Sequence, residues 1–310
     1  MRNLRRIVLL VIVVAGLMMG QPGGILAQGD DPPRVVVGSL SFTESTILSE
    51  MLALLLEDAG YEVERRMDMG VSEDLHATLV NGEIDLYVEY TGGGLVAILG
   101  LPVPPPDVSA TPGASVEGQV HATVSAQYEE QFGLVWLDEI GFNDSYALAV
   151  TRATADELGI ETISDLRDHA GEMTLVTDNE FPDRQDGLAA LDAGYGLAFG
   201  EVRPGDVDEM YAAIESGEAD VITAYTTDGR LPDLDLVLLE DDAQVFPPYY
   251  AAPVVDGELL DFDPALRDVL NQLAGRIDEA TMAELNRQVD VEGQEPQAVA
   301  RAFLEQQGLI

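Results

Sequence analysis

Residues 81–91, with the sequence NGEIDLYVEYT, decide the fold, because residues 216–226 repeat their pattern as SGEADVITAYT. In each copy a predicted helix ends at the glycine, an apolar strand follows, and a Tyr-Thr pair closes the stretch. A repeated unit of this kind predicts two similar α/β lobes. In open α/β sheets, ligands bind beyond the carboxyl ends of the strands. Tyr90 and Tyr225 hold that position, so each lobe is predicted to present a tyrosine there.

Strands and helices alternate on both sides of the first copy. Thr43 is a suitable N-cap for the helix that follows it, and Gly60 stands just past the end of that helix. This alternation predicts an open, mostly parallel α/β sheet, and a second series of the same kind begins at residue 146. The predicted strands are 34–38, 61–66, 84–88, 134–137, 146–151, 173–177, 219–224 and 234–239, and the predicted helices are 44–58, 74–80, 115–131, 163–169, 188–193, 208–216 and much of 264–307.

Composition and charge narrow the class of protein. The chain has 310 residues, of which 46% are hydrophobic, which is sufficient for two ordinary domains with their own cores. Its formal net charge is -42, and all 15 basic residues are arginines. We expect no nucleic-acid partner, because phosphate binding needs clustered cations. Such a charge causes self-repulsion that salt screens, and both a salty habitat and the ordinary acidity of a secreted protein are compatible with it.

Residues 1–27 are predicted to be a secretory signal peptide. A basic start is followed by an apolar run of 13 residues, from Ile7 to Met19, and by a suitable cleavage site after Ala27. This run is short for a membrane span, and retention as an uncleaved N-terminal anchor is the alternative. The absence of cysteine excludes disulfides, thiol chemistry and a lipoprotein anchor. We therefore expect an exported protein at the periplasmic or extracellular face of the membrane.

Tyrosines are the aromatic residues that point to a ligand. The chain contains 10 tyrosines and 1 tryptophan, and several of the tyrosines stand where strands meet loops. A tyrosine there more often packs against the core. Four that converge on one cleft would instead form a cage, because the negative faces of aromatic rings attract a cation that donates no hydrogen bond, such as trimethylammonium. Each desolvated contact contributes roughly 2 kcal/mol, so that three or four allow micromolar binding after ordering costs.

Five groups of residues follow one another along nearly the whole chain after residue 34. They are Gly38-Ser39 with Phe42-Thr43-Glu44; Gly82-Glu83-Ile84-Asp85-Leu86-Tyr87 with Glu89-Tyr90-Thr91-Gly92; Gly141-Phe142-Asn143 with Tyr146-Ala147-Leu148; Glu180-Phe181 with Arg184 and Asp186-Gly187; and Ala224-Tyr225 with Asp228-Gly229. Through this ordered set, which is specific as a whole, the chain resembles the substrate-binding proteins of ABC importers for glycine betaine, choline and related osmoprotectants.

The resemblance implies a two-lobed periplasmic-binding-protein fold of type II, an α/β fold with two hinge crossovers and the ligand in the cleft between the lobes. Lobe I is expected at residues 34–141 plus 246–310, and lobe II at residues 143–245. The resemblance also implies two partners, a small quaternary-ammonium ligand and an ABC permease with its ATPase. The strong charge makes a monomer the expected oligomeric state.

In relatives the ammonium group lies in a box of tyrosines from both lobes, with an acidic residue near the box. The resemblance places Asp144 at that acidic position and Arg184 at the position of the cation that receives a betaine carboxylate. Each has a plainer interpretation, Asp144 as a turn residue and Arg184 as half of a surface ion pair. Glu89 is interpreted as a solvated or structural carboxylate. The tyrosines at the matching positions are Tyr90, Tyr146, Tyr225 and Tyr249.

Two positions depart from many betaine-binding relatives. Leu40 stands in the first loop where lysine or glutamine is common, and Gly93 follows Tyr-Thr-Gly where threonine is common. Because both positions help to hold the polar end of the ligand, their loss leaves Arg184 with weaker support for a carboxylate. Choline, another trimethylammonium compound, or a bulkier ligand that fills the space at Gly93 is therefore compatible with the sequence, beside glycine betaine.

Motifs for catalysis and cofactors are missing from the sequence. It contains no P-loop and no Gly-x-Ser-x-Gly motif, and its 3 histidines are isolated from one another. We therefore expect no enzyme activity, no cofactor and no metal site. Two alternatives to osmoprotectant uptake stay open. One is a binding protein for another small, amino-acid-like ligand, and the other is a sensory receptor on the same fold that takes no part in transport.

Overall fold

The structure is a computed structural model that describes residues 34–103 and 116–310. The predicted signal peptide, residues 1–27, lies outside the described residues. No helix in the described ranges is long and apolar enough to cross a membrane. The α-helices in these ranges are α1 (Thr43–Asp58), α2 (Ser72–Val80), α3 (Thr91–Gly93), α4 (Val116–Phe132), α5 (Arg152–Leu158), α6 (Leu188–Tyr195), α7 (Val207–Ser216), α8 (Gly257–Phe262), α9 (Ala265–Leu270), α10 (Glu279–Asp290) and α11 (Pro296–Gln307).

Ten strands form two sheets of five within the described residues. The first sheet contains β1 (Arg34–Gly38), β2 (Glu62–Arg66), β3 (Leu86–Tyr90), β4 (Leu134–Trp136) and β10 (Ala251–Asp256) in the order β2-β1-β3-β10-β4. The second contains β5 (Tyr146–Thr151), β6 (Thr174–Thr177), β7 (Glu201–Pro204), β8 (Val221–Tyr225) and β9 (Leu236–Leu239) in the order β7-β6-β8-β5-β9. The two copies of the repeated stretch supply β3 and β8, which are the central strands of their sheets.

Each sheet is mixed, because one strand runs against the other four, and the other four share one direction as predicted. β1 runs parallel to β2 and β3, but β10 runs antiparallel to β3 and β4. In the second sheet β6 runs parallel to β7 and β8, but β5 runs antiparallel to β8 and β9. The antiparallel strands are those that the chain enters after crossing from the other sheet. Sequence patterns missed β10, because a proline such as Pro253 argues against a central strand.

The chain crosses between the sheets twice, once between β4 and β5 and once between β9 and β10. The two crossovers pair with each other through an antiparallel bridge between Asn143 and Tyr250. Beside that bridge, the Asp144 N–H donates to the Tyr249 carbonyl at 3.1 Å. The Tyr249 N–H donates to the Asn143 side-chain oxygen at 2.6 Å. Two connections joined in this way form the pair of hinge crossovers of the type II fold.

Helix α1 anchors one wall of the molecule. It packs between the first sheet and the C-terminal helices α10 and α11, and 12 of its residues are buried. Its first turn carries Glu44, where the helix dipole favours a carboxylate. The burial of the rest of the helix therefore fixes Glu44 at the end of the sheet where β3 terminates.

The glycine of each copy of the repeated stretch has a left-handed backbone. Gly82 has φ +70° after α2, and Gly217 has φ +77° after α7. Glycine is favoured in that conformation because it has no Cβ to clash with the backbone. The two copies therefore share the backbone conformation at the end of the helix, and not only a similar order of residue types.

Replacement of Gly217 by alanine isolates the cost of this conformation, since no atom lies within 4 Å of the position of the added Cβ. We expect Gly217→Ala to lower the free energy of unfolding by about 1 kcal/mol, measured by urea denaturation. Gly171 also has open space around its Cβ position but does not adopt a positive φ, so Gly171→Ala is the matched control. Equal effects of the two substitutions would show that the backbone conformation is not the cause.

Candidate ligand-binding cleft

A cavity of about 680 Å³ lies where the ends of the two sheets face each other. Its volume is in the range of small-molecule sites. Side chains from both sheets line it, so that a bound molecule would contact both halves of the structure. All eight residues that the sequence marked as ligand-binding line this cavity: Leu40, Tyr90, Gly93, Asp144, Tyr146, Arg184, Tyr225 and Tyr249.

Strand register explains why tyrosines that are far apart in sequence meet in the cleft. Tyr225 ends β8 and pairs directly with Tyr146, the first residue of the antiparallel β5. Tyr90 ends β3 and pairs with Ala251, the first residue of β10. Because the end of a strand lies beside the start of its antiparallel neighbour, both pairs reach the same edge of their sheets. Tyr249 lies two residues before the start of β10 and therefore belongs to this edge too.

Tyr146 is the centre of an aromatic cluster. Its ring centroid lies 5.1 Å from that of Tyr225 and 5.7 Å from that of Tyr249, the latter in edge-to-face geometry. Phe181 packs against it at 5.0 Å and Phe246 at 6.0 Å. Three of the four predicted box residues are thus held in one contact group, together with two phenylalanines that had no predicted ligand role.

The fourth tyrosine of the predicted box, Tyr90, lines the cavity apart from this cluster. Its ring contacts Phe42, with centroids 5.8 Å apart. Its hydroxyl donates to Glu44 Oε1 at 2.7 Å. Burial raises the pKa of Tyr90 well above its ordinary value, so the phenol keeps its proton. Tyr90 thereby joins the aromatic and the acidic parts of the cleft.

Arg184 lies in the cleft and is not half of a surface ion pair, since its side chain is only 15% exposed. Its Nε and Nη2 atoms donate to the two carboxylate oxygens of Asp186, each at 2.8 Å. The guanidinium carbon lies 5.6 Å from the centroid of the Tyr146 ring. The Tyr249 hydroxyl also donates to Asp186. Asp186 therefore occupies one edge of the guanidinium that was expected to receive a ligand carboxylate.

Two carboxyl groups, those of Glu44 and Asp144, also line the cleft. Glu44 is 3% exposed, and it accepts hydrogen bonds from Thr227 at 2.6 Å and from Asn286 at 2.9 Å, in addition to that from Tyr90. Burial raises the pKa of Glu44 to about 7. Asp144 lies 2.7 Å from the same Thr227 hydroxyl. Burial, and then repulsion by Glu44, raise the pKa of Asp144 well above its ordinary value.

Glu89 is a structural carboxylate, and the alternative interpretation of a solvated one is wrong. Its side chain is fully buried and accepts hydrogen bonds from the Tyr90 N–H at 2.7 Å, from Ser72 at 3.1 Å and from Tyr87 at 3.1 Å. Burial raises its pKa to about 7. The hydrogen bond from Ser72 joins the end of β3 to the first residue of α2.

The two positions that depart from the family pattern have distinct surroundings. Leu40 is buried, and its backbone N–H donates to Ser45 at 3.0 Å. At Gly93 an added Cβ would stand 2.9 Å from Glu89 Oε1. A side chain at position 93 would therefore crowd a buried carboxylate, which explains locally why glycine fits here.

Sequence reasoning missed several side chains that line the cavity, chiefly Glu44, Thr227, Asn286 and Asp178. Glu44 stood in the Phe42-Thr43-Glu44 motif, but its role was not assigned. Asn286 lies 242 residues from Glu44 and carried no signal in the sequence. Asp178 accepts from the Tyr225 hydroxyl at 3.0 Å and follows directly on β6. Within the described ranges, no cluster of three or more histidine, aspartate or glutamate side chains could hold a metal ion.

Two similar sheets, a paired double crossover and a cleft lined from both sides define a two-lobed solute-binding protein of the periplasmic-binding-protein class, type II. Residues 33–306 match the family described as the substrate binding domain of the ABC-type glycine betaine transport system, and the chain belongs to that family. This is a family of substrate-binding proteins and not a class of enzymes.

Named relatives agree with this assignment. The carnitine transport binding protein OpuCC of Listeria monocytogenes is 33% identical over 280 residues, which cover 89% of this chain and 88% of the relative. A glycine-betaine-binding protein of Pseudomonas aeruginosa is 35% identical and covers 88% of both chains. A crystal structure described as a glycine betaine/carnitine/choline ABC transporter has a TM-score of 0.74 and 34% identity, over 89% of this chain and 99% of that chain.

The Arg184–Asp186 pair makes a testable contribution to stability. Removal of Asp186, whose side chain is 0% exposed, leaves the guanidinium without its bidentate partner and the Tyr249 hydroxyl without its acceptor. We expect Asp186→Ala to lower the free energy of unfolding by about 3 kcal/mol in urea denaturation. Glu201, paired at 3.7 Å with Arg203 at the surface, gives the control Glu201→Ala, for which little change is expected. Similar small changes for both would contradict the buried role of Asp186.

Proposed function

We propose that this protein captures a quaternary-ammonium osmoprotectant outside the cytoplasm and delivers it to an ABC permease with its ATPase. Glycine betaine, choline and carnitine are the candidate ligands. The observation that carries the proposal is the aromatic cluster around Tyr146, which lines the cleft together with buried carboxylates. Ring faces and carboxylates attract the same kind of headgroup, a cation that needs no hydrogen-bond acceptor.

The charges in the cleft support a cationic headgroup. Acidic side chains from both sides line the cavity, whereas Arg184 and Arg230 are its two basic lining residues in the described chain. Arg230 is 3.1 Å from Asp208, and Arg184 is bound by Asp186. An anionic ligand without a cationic part would meet carboxylates and few available donors. A betaine or choline headgroup would meet aromatic faces and negative charge.

Ligand contacts on both sides of the cleft would drive closure. We assign residues 34–141 plus 246–310 to lobe I and residues 143–245 to lobe II. On this division Tyr90, Tyr249, Leu40 and Gly93 belong to one lobe, and Asp144, Tyr146, Arg184 and Tyr225 belong to the other. A ligand that touches both sets stabilises the closed state over the open state, because only closure completes its contacts. We further propose that the protein is exported and acts as a monomer.

Tyr146 offers the sharpest test of the aromatic cluster. We expect Tyr146→Ala to weaken binding at least tenfold, measured by isothermal titration calorimetry with glycine betaine, choline and carnitine in low and high salt. The loss of one ring face from a desolvated cation accounts for this, since a contact is worth up to about 2 kcal/mol. Tyr146→Phe keeps the ring and is expected to bind nearly as well as the original protein.

Tyr61 supplies the control for general effects of removing a tyrosine. Its hydroxyl donates to Asp263 at 2.8 Å, and it does not line the cleft. Tyr61→Ala should leave the affinity unchanged in a protein that circular dichroism shows to be folded. Affinity that is unchanged in Tyr146→Ala would remove Tyr146 from the site. Failure of the folded original protein to bind any of the three ligands would refute the proposed function.

A further inference from the structure

One hydroxyl in the cleft lies between two carboxylates. Thr227 Oγ1 is 2.6 Å from Glu44 Oε2 and 2.7 Å from Asp144 Oδ1. A hydroxyl carries one hydrogen and can donate to one of these oxygens at a time. The other contact would then join an oxygen lone pair to an ionised carboxylate, unless that carboxyl group carries a proton of its own. The geometry therefore requires at least one proton on the two carboxyl groups.

The neighbours of the pair indicate which carboxyl group holds the proton. Glu44 accepts from the Tyr90 hydroxyl and from Asn286 Nδ2, and these donors favour its ionised form. Asn286 Nδ2 also donates to the Thr227 carbonyl at 2.9 Å, which sets the orientation of the amide. Asp144 has the Thr227 backbone N–H as its further donor. A proton on Asp144, donated to Thr227, which in turn donates to Glu44, satisfies all of these contacts.

Few charges near the pair could compensate two ionised carboxylates. The titratable groups that face it are Tyr90 from β3, Tyr225 from β8, Tyr211 from α7 and Asp228 after β8. Arg230 lines the same cavity beside Tyr211 and Asp228, but its guanidinium is paired with Asp208 at 3.1 Å. Arginine side chains in the described part of the chain form no hydrogen bond to Glu44 or Asp144 in this arrangement. A second negative charge on the pair would therefore be uncompensated until a cation arrives.

We propose that Glu44 and Asp144 share one proton through Thr227 in the empty cleft, and that a bound quaternary-ammonium ion displaces this proton, which makes the pair a determinant of specificity for cationic headgroups. The inference rests on the proposed function, because it needs a cation in the cleft. The exchange balances charge: one ligand cation enters, one proton leaves Asp144 for solvent, and no covalent bond other than that O–H bond is broken. The raised pKa values of both groups agree with a proton held near neutral pH.

The position of the pair beside the tyrosines connects it to the ligand. Tyr90 lines the cavity and donates to Glu44, and Tyr225 lines the same cavity within the electrostatic influence of Asp144. Asn286 lines the cavity as well, and its Oδ1 atom is buried without a hydrogen-bond partner. A ligand hydroxyl, as in choline or carnitine, is a donor of the kind that this oxygen lacks. The unpaired acceptor therefore belongs to the same side chain whose Nδ2 atom donates to Glu44 of the acidic pair.

The sign of the pH dependence follows from the exchange. In the ligand-free protein, the Glu44–Asp144 pair keeps its shared proton at any pH below the pKa of the pair. A bound cation lowers that pKa. Between the two values one proton leaves for each ligand bound, so affinity rises with pH by up to about tenfold per unit. Affinity becomes independent of pH once the empty cleft has already lost the proton. We therefore expect tighter choline binding at pH 7.5 than at pH 5.5.

Proton release can be measured directly. The purified protein is titrated with choline at pH 7 in phosphate and in imidazole, two buffers that differ in ionisation enthalpy. The difference between the two observed binding enthalpies gives the number of protons released. We expect close to one proton per choline. Absence of any choline, betaine or carnitine binding would refute the proposed function, whereas binding without proton release would overturn this inference and leave the function intact.

Four variants locate the proton. Asp144→Asn and Glu44→Gln are each expected to abolish most of the proton release on choline binding. Each is also expected to abolish most of the rise in choline affinity with pH. Asp85 also has a raised pKa, but it lies before β3 and outside the cleft. Asp85→Asn is therefore the matched control, and it should release as many protons on choline binding as the original protein. Proton release that persists in both Asp144→Asn and Glu44→Gln would overturn the assignment. Proton release that disappears in Glu89→Gln but persists in those two variants would overturn it as well. Unfolding curves for each variant confirm that the proteins compared are folded.

Discussion

The pairing of the two crossovers is the constraint on which the site depends. Asn143 and Tyr250 form the bridge that joins them, and the adjacent Asp144 N–H donates to the Tyr249 carbonyl at 3.1 Å. The Thr226 hydroxyl also donates a hydrogen bond of 2.8 Å to the Asn143 carbonyl. Because Asp144 and Tyr249 themselves line the cleft, the two backbone segments that join the sheets also position side chains of the cleft wall.

Charge in the cleft follows a consistent arrangement. The arginine nearest the aromatic cluster is bound on one edge by Asp186, and its guanidinium already lies over the Tyr146 ring. Glu44 and Asp144 also line the cleft, and no arginine among the described residues forms a hydrogen bond or an ion pair with either of them. The two arginines of the cleft are therefore paired with Asp186 and Asp208, whereas Glu44 and Asp144 have no cationic partner in the described residues. This asymmetry suits a headgroup with fixed positive charge and is consistent with membership in a family that serves glycine betaine transport.

Much of the fold and of the candidate site was predictable because it depends on local pattern. Gly82 and Gly217 mark helix ends through their left-handed backbone, and the apolar runs after them form the central strands β3 and β8. The strands β7 and β10 were missed, since one is short with charged residues and the other contains Pro253. Glu44, Thr227 and Asn286 were missed for another reason: they meet across separations of 183 and 242 residues, which no local pattern encodes.

The sequence by itself determined the family, the repeated α/β architecture and the tyrosines at the strand ends, because periodicity, turn glycines and ordered motifs are properties of neighbouring residues. Tertiary structure alone decided that Arg184 is bound by Asp186, that Glu89 is buried, and that Thr227 stands between two carboxyl groups. The two contacts of the Thr227 hydroxyl, at 2.6 and 2.7 Å, join residues that lie 183 and 83 positions apart in the sequence. At such distances hydrogen bonding and desolvation decide which groups carry charge, and only the packed fold sets them.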